Sequence, residues 1–186
     1  MANLFEPERK FVLESKWRQK MLPPYEVLKK LGIKSTDTVA DIGCGIGYFS
    51  IPASEYTDGN VVYALDLQDE MLEEIKRRIG SKNIIVVKNE PYDLRLSDES
   101  VDFAIMVTVI HEIDDKQRFL REVRRILKQD GRLAVVDWQK TDLNIGPPVS
   151  HKFSPEDLVA IFNDTFIHSK TIDFNEFFYG VIFTKG

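Results

Sequence analysis

A single cysteine, Cys44, stands in the 186 residues, so no internal disulfide can form and a reducing compartment is expected. No run approaches the roughly 20 consecutive apolar residues of a membrane-spanning helix. Glu6 and Glu8 fall where a secretory signal would carry its apolar core, so the chain reads as cytoplasmic and without a membrane partner. Histidine is scarce: His151 and His168 have no clustered partners, and His111-Glu112 has Asp115 where a zinc-binding His-Glu-x-x-His motif needs its second histidine. No metal site is expected. Positive charge is also short, with 25 Lys and Arg against 30 Asp and Glu, a net charge of -5. That balance disfavours nucleic acid as a partner, because phosphate neutralisation dominates such affinity. The densest basic run, Arg121, Arg124, Arg125 and Lys128, lies at helical spacing between apolar residues and reads as a solvated helix face. There is no internal repeat, low-complexity tract or domain linker.

What is present is an ordinary globular composition, 43% apolar and 30% charged, long enough for one well-buried core and short for two. Short β-branched runs at 38–42, 61–65, 84–87, 101–107 and 132–137 alternate with amphipathic stretches at 48–56, 70–79 and 117–127. This is the pattern of strand–helix–strand units on a parallel sheet. The third helix carries Phe119, Leu120, Val123, Ile126 and Leu127 on one face and is expected to stop at a turn, Gln129-Asp130-Gly131. Two helices, at about 8–20 and 25–31, precede the first strand and are separated by Pro23-Pro24. After the fifth strand, 142–152 with Gly146, Pro147 and Pro148 reads as a loop, and Ser154 is placed to cap a helix opening at Pro155. The tail, 169–174 and 177–184, reads as an antiparallel strand pair. The expected fold is α/β: a doubly wound sheet, mostly parallel with an antiparallel C-terminal strand, and helices on both faces.

Chemistry concentrates where the first strand meets the next helix, in Asp41-Ile42-Gly43-Cys44-Gly45-Ile46-Gly47-Tyr48. Glycines there permit positive φ and let a ligand touch backbone, and such folds bind cofactors at this edge of the sheet. A dinucleotide fingerprint needs a small residue three positions after its second glycine, and Tyr48 stands there. Asp41 is equally foreign to that fingerprint. It puts a carboxylate beside the ligand, which suits an ammonium and a sulfonium better than a pyrophosphate. A P-loop is excluded, since no Gly-Lys-Ser/Thr follows.

The stretch 38–137 closely resembles the class I S-adenosylmethionine-dependent methyltransferases, whose first motif reads acidic-x-Gly-x-Gly-x-Gly. The resemblance implies a Rossmann-like fold and S-adenosyl-L-methionine as cofactor. It assigns to the cofactor the turn residues Asp41, Gly43, Cys44, Gly45 and Gly47, and Asp66 with Leu67 at the end of the second strand, the acid holding the ribose hydroxyls. Met71 matches the start of the following helix. Glu90, Pro91 and Tyr92 match the adenine-side loop, and Val107 and Thr108 the methionine side. One departure stands out: Pro91 occupies the place of a residue whose N–H would meet adenine, and proline has none.

His111 sits just past the fourth strand, where many small-molecule members of this class carry a histidine pair. It is the candidate general base, with a structural histidine as the competing reading. The resemblance divides the chain into an N-terminal helical cap (1–35, with Phe11, Trp17 and Arg18), a cofactor-binding core (38–137), and an acceptor loop, helix and strand pair (138–186). Asp137, Trp138, Lys140 and Lys152 are candidates for the acceptor wall, with loop anchoring as the alternative. The segment 136–148 and the early Pro-Pro are similar to the ubiquinone- and arsenite-methyltransferase-like subgroup, but the cysteines of arsenic chemistry are missing. The expected activity is in-line methyl transfer to a small-molecule acceptor. A protein or tRNA acceptor, a module that only binds cofactor, and a transferase of the decarboxylated cofactor remain alternatives.

Overall fold

The computed structural model describes residues 12, 14–80, 83–143 and 145–186. Phe11 and the first part of the expected 8–20 helix lie outside them. The observed order is α1 (Lys16–Met21), α2 (Pro24–Leu31), β1 (Val39–Ile42), α3 (Ser50–Tyr56), β2 (Val62–Asp66), α4 (Asp69–Arg78), β3 (Ile84–Lys88), β4 (Val101–Val107), α5 (Lys116–Ile126), β5 (Leu127–Trp138), α6 (Pro155–Phe162), β6 (Ile167–Asp173) and β7 (Phe178–Thr184). The strands form one seven-stranded sheet in the order β3-β2-β1-β4-β5-β7-β6. All neighbours from β3 to β5 are parallel, and β7 runs antiparallel to both β5 and β6.

The strand period of two sorts the core. Phe103, Ile105 and Val107 pack with α2, α3 and α4 on one face, while Ala104 and Met106 pack with α5 and α6 on the other. The α5 face is Phe119, Leu120, Val123 and Ile126, all buried, and Asp115 caps the helix by accepting from the Arg118 N–H. Ser154 and Asp157 form a capping box at α6, with Pro155 in the first turn. The chain moves outward from β1 to β3 and then returns to lay β4 beside β1. The carboxyl ends of β1 and β4 therefore flank a topological switch point, where open α/β sheets bind ligands.

Two segments differ in kind or extent from the sequence expectation. The Gln129-Asp130-Gly131 segment is strand, not turn, because β5 starts at Leu127, pairs with Val101 and then shifts register against β4. The Gly131 carbonyl there accepts from the Lys185 N–H at 3.0 Å, tying the C-terminal end to the same strand. Helix α3 begins at Ser50 instead of Tyr48, since 45–49 are spent in the glycine turn. The C-terminal hairpin enters the sheet through β7, which lies between β5 and β6.

Gly47 adopts φ +85°, and a Cβ on it would fall 2.7 Å from Cδ1 of Ile75 in α4. Ile75 is fully buried and has little room to give. Gly47→Ala is therefore expected to lower stability by about 1–3 kcal/mol, through a left-handed backbone and a packing clash. The midpoint of urea unfolding reads this; an unchanged midpoint would contradict it.

Candidate active site

The glycine turn is shaped by β2. The Gly43 and Cys44 N–H groups both donate to the Leu65 carbonyl, at 2.8 and 2.9 Å, and the Gly45 N–H donates to Asp66 Oδ2 at 2.9 Å. The other oxygen of Asp66 accepts from the Gln68 N–H at 2.9 Å. Burial pushes the Asp66 carboxyl pKa up, while these backbone donors oppose the shift. Asp41 is 2% exposed and accepts a 2.5 Å hydrogen bond from Ser50 Oγ. Burial is the main reason its pKa is pushed up to about 7, with the Asp66 charge adding to it. Gly43 at φ +73° leaves space that the Val109 side chain fills, since a Cβ there would lie 2.5 Å from Val109 Cγ2. The turn after β1 and the segment after β4 are thus interlocked.

A cleft opens across these strand ends. Of the sequence candidates, Asp41, Gly43, Cys44, Gly45, Asp66, Leu67, Met71, Pro91, Tyr92, Val107 and Thr108 all line it. Gly47 does not; it is the packing glycine against α4. Glu90 does not either: it is exposed and pairs with Arg95 at 2.9 Å, and its N–H donates to the Asp93 carbonyl. Its neighbour Asn89 lines the cleft instead. Thr108 takes φ +58°, a costly conformation for a β-branched residue, while its N–H donates to the Val136 carbonyl at 2.7 Å. The Cys44 thiol is buried and its pKa is pushed up by burial, so it is not a nucleophile.

Sequence reasoning did not single out Asn89, Gln68, Val109 or Ile113 as site residues, yet all line the cleft, as does Glu112, the neighbour of His111 at the place of the histidine pair. Only their nearness to strand ends could have flagged them. Arg18 of α1 also reaches the cleft; it is 7% exposed and lies 5.5 Å over the Tyr48 ring. The other acceptor-wall candidates anchor the loop that follows β5. Trp138 stacks on Trp17 at 6.1 Å and covers Gly146, Lys140 pairs with Asp157, and Lys152 donates to the Thr141 carbonyl.

His111 is set behind the cleft wall. Its Nδ1 lies 3.2 Å from both oxygens of Asp137, a carboxylate also fixed by the Trp138 N–H at 2.8 Å. Its Nε2 is 4.0 Å from Glu112, which does line the cleft. Burial works to lower the His111 pKa, but the hydrogen bond and charge of Asp137, with Glu112, outweigh it and the net shift is upward. Among the described residues, no group of His, Cys, Asp and Glu could hold a metal ion.

The residues present fit S-adenosylmethionine. Two strand-end carboxylates suit its ribose and ammonium, the glycine turn admits close approach, and two cleft-lining residues each carry a buried polar atom without a partner, Arg18 Nε and Asn89 Oδ1.

The upward shift at His111 has a definite sign. A histidine whose folded pKa exceeds its unfolded value adds stability below the ordinary 6.5, and that stability is lost as pH rises through the folded value. Melting temperature is expected to fall between about pH 6 and about pH 9 by more in the wild type than in His111→Gln. Equal falls in the two proteins would contradict the ion pair.

Comparison with known proteins agrees with this geometry. The family described as "methyltransferase domain" matches residues 40–135. A SAM-dependent methyltransferase from Aquifex aeolicus, of solved structure, superposes with a TM-score of 0.93 at 30% identity, covering 98% of this chain and 100% of that one. A demethylmenaquinone methyltransferase of Lactobacillus johnsonii is 28% identical over 127 residues, 65% of this chain and 49% of the relative. A sterol 24-C-methyltransferase of Aspergillus fumigatus is 31% identical over 117 residues, 61% of this chain and 31% of the relative. The chain thus spans about half the length of the first of these curated relatives and about a third of the second. With a matching motif, sheet order and whole-chain superposition, the chain belongs to the S-adenosylmethionine-dependent methyltransferase family.

Proposed function

We propose that this protein transfers a methyl group from S-adenosylmethionine to a small-molecule acceptor in the cytoplasm. The observation that carries the reading is one cleft lined both by the strand-end carboxylates Asp41 and Asp66 and by the apolar side chains of Val109, Ile113 and Phe119. Charged groups suit the cofactor's polar body, and the apolar wall suits a compact acceptor shielded from water. The relatives named for demethylmenaquinone and sterol methylation support a small acceptor, and the net charge of -5 weighs against nucleic acid.

When bound, the cofactor supplies a methyl group already activated by its sulfonium. In this reading Asp66 accepts from the ribose hydroxyls, Asp41 faces the ammonium, and the Gly43–Gly45 backbone closes over the ligand. Cys44, Leu67, Met71, Pro91 and Tyr92 pack the nucleoside, and Val107 and Thr108 border the methionine moiety. Alignment and exclusion of water can account for about 7–11 kcal/mol of barrier lowering in well-ordered cases, so no catalytic triad is required. His111 does not itself line the cleft; its Nε2 lies 4.0 Å from Glu112, which does, and we assign it the role of positioning Glu112, the group that would take a proton from the acceptor. Helices α1 and α2 act as the cap, and residues 138–186 support the acceptor side.

Asp66→Ala is expected to weaken S-adenosylhomocysteine binding at least about tenfold while the protein stays folded, since hydrogen bonds to a charged group are worth about 1.5–3 kcal/mol each. An unchanged dissociation constant would move the ribose elsewhere. The raised Asp41 pKa gives a second expectation. The ionised carboxylate pairs with the ammonium, so affinity should climb as pH rises from about 5.5 to about 7, and Asp41→Asn should flatten that climb. A flat wild-type profile would contradict the assignment. Acceptor class is read by incubating the protein with tritiated-methyl cofactor and cell extract. Label is expected in small molecules; label confined to protein or RNA would overturn the reading.

A further inference from the structure

Among the described residues, just two buried side-chain nitrogen or oxygen atoms lack a hydrogen-bond partner, Arg18 Nε and Asn89 Oδ1. Both residues line the cleft. Buried polar groups are normally satisfied, so two exceptions on residues that line one cleft point to a ligand that supplies the missing partners.

Their places in the fold separate them. Asn89 directly follows β3, on the far side of Asp66 from the glycine turn. Arg18 sits on α1 beside Trp17, which stacks on Trp138 at the end of β5. Asp66 and Asp41, at the ends of β2 and β1, lie between them in sheet order. The Asn89 amide is oriented by its own chain: its Nδ2 donates to the Glu90 carbonyl at 3.0 Å, an acceptor only an N–H can serve. The atom left over is therefore the carbonyl oxygen, and it requires a donor. Arg18 requires the opposite. No carboxylate of the described residues lies within 4.0 Å of its guanidinium, which sits over the Tyr48 ring. Burial alone pulls the Arg18 pKa down to about 10, the mark of a cation held without an adequate counter-charge.

We propose that Arg18 binds the carboxylate at the amino-acid end of the cofactor, and that Asn89 Oδ1 accepts from the exocyclic amine of its adenine. The inference rests on reading this cleft as the cofactor site. It moves adenine recognition one residue back from Glu90, whose side chain is spent on Arg95 and whose N–H is spent on Asp93. It also makes α1 part of the binding site, so the helix docks against the cofactor through a charge pair as well as through Trp17.

Calorimetric titration with three compounds tests both contacts without any methyl acceptor. S-adenosylhomocysteine carries every group; S-adenosyl-3-thiopropylamine keeps the ammonium and lacks the carboxylate; S-inosylhomocysteine replaces the exocyclic amine with a carbonyl. The wild type should bind each altered compound at least about tenfold more weakly than S-adenosylhomocysteine. Arg18→Met should lose about tenfold or more for S-adenosylhomocysteine and little for the thiopropylamine, with Arg18→Lys between. Asn89→Leu should lose as much for S-adenosylhomocysteine and little for the inosine compound, while Asn89→Asp, which keeps an acceptor, retains adenine binding. Free Arg18→Met should melt no lower than the wild type, because an unpaired buried cation has been removed. Wild-type affinity for S-adenosylhomocysteine in Arg18→Met and Asn89→Leu would overturn the inference and leave the cleft reading standing. Failure of the wild type to bind any of the three would overturn both.

Discussion

The hydrogen bond from the Gly45 N–H to the Asp66 carboxylate joins the turn after β1 to the end of β2, and the rest of the site is arranged around it. It can form only because Gly43 and Gly45 take positive φ, which turns successive backbone N–H groups toward β2. The same turn leaves the space that Val109 occupies, so the segment after β4 is fixed by the segment after β1. Asp66 is thereby fixed by a backbone N–H on each of its oxygens and lines the cleft.

Electrostatically the cleft is unbalanced along its length. Asp41 and Asp66 are buried carboxylates whose ionised forms burial disfavours, and Arg18 is a buried cation that burial also disfavours. Each is relieved by a ligand group that carries the opposite charge or donates hydrogen bonds to it. A ligand with a diol and an ammonium near the carboxylates and a carboxylate near Arg18 lowers all three costs at once. This favours a zwitterionic nucleoside over a pyrophosphate, which would face both carboxylates with like charge.

Much of the fold was legible because it depends on local pattern. The β-branched run of β4, the amphipathic face of α5 and the Ser154 cap each follow from a few adjacent residues. The glycine turn and Asp66 were legible for the same reason, as strand ends followed by helix starts. What escaped depends on distant pairing. His111 and Asp137 are brought together because β4 and β5 run parallel with Val107 opposite Val136, a register no local pattern records. The insertion of β7 between β5 and β6 is likewise decided by sheet pairing. At the adenine side the local match favoured Glu90, but one step along a strand end reverses the side chain, and Asn89 faces the cleft instead. The strand through Gln129-Asp130-Gly131 was hidden because these residues fall in the register shift between Leu127 and Arg132, the two β4-paired positions that flank them, with the Gly131 carbonyl held by the Lys185 N–H.

The central claim, that Asp66 holds the cofactor's ribose across the β1–β4 switch point, is tested most directly by a crystal structure of the complex with S-adenosylhomocysteine. The account predicts both ribose hydroxyls within about 3 Å of the Asp66 carboxylate oxygens, with the Gly45 N–H still donating to the same carboxylate. A nucleoside bound away from Asp66, or an Asp66 that has turned out of the cleft, would contradict it.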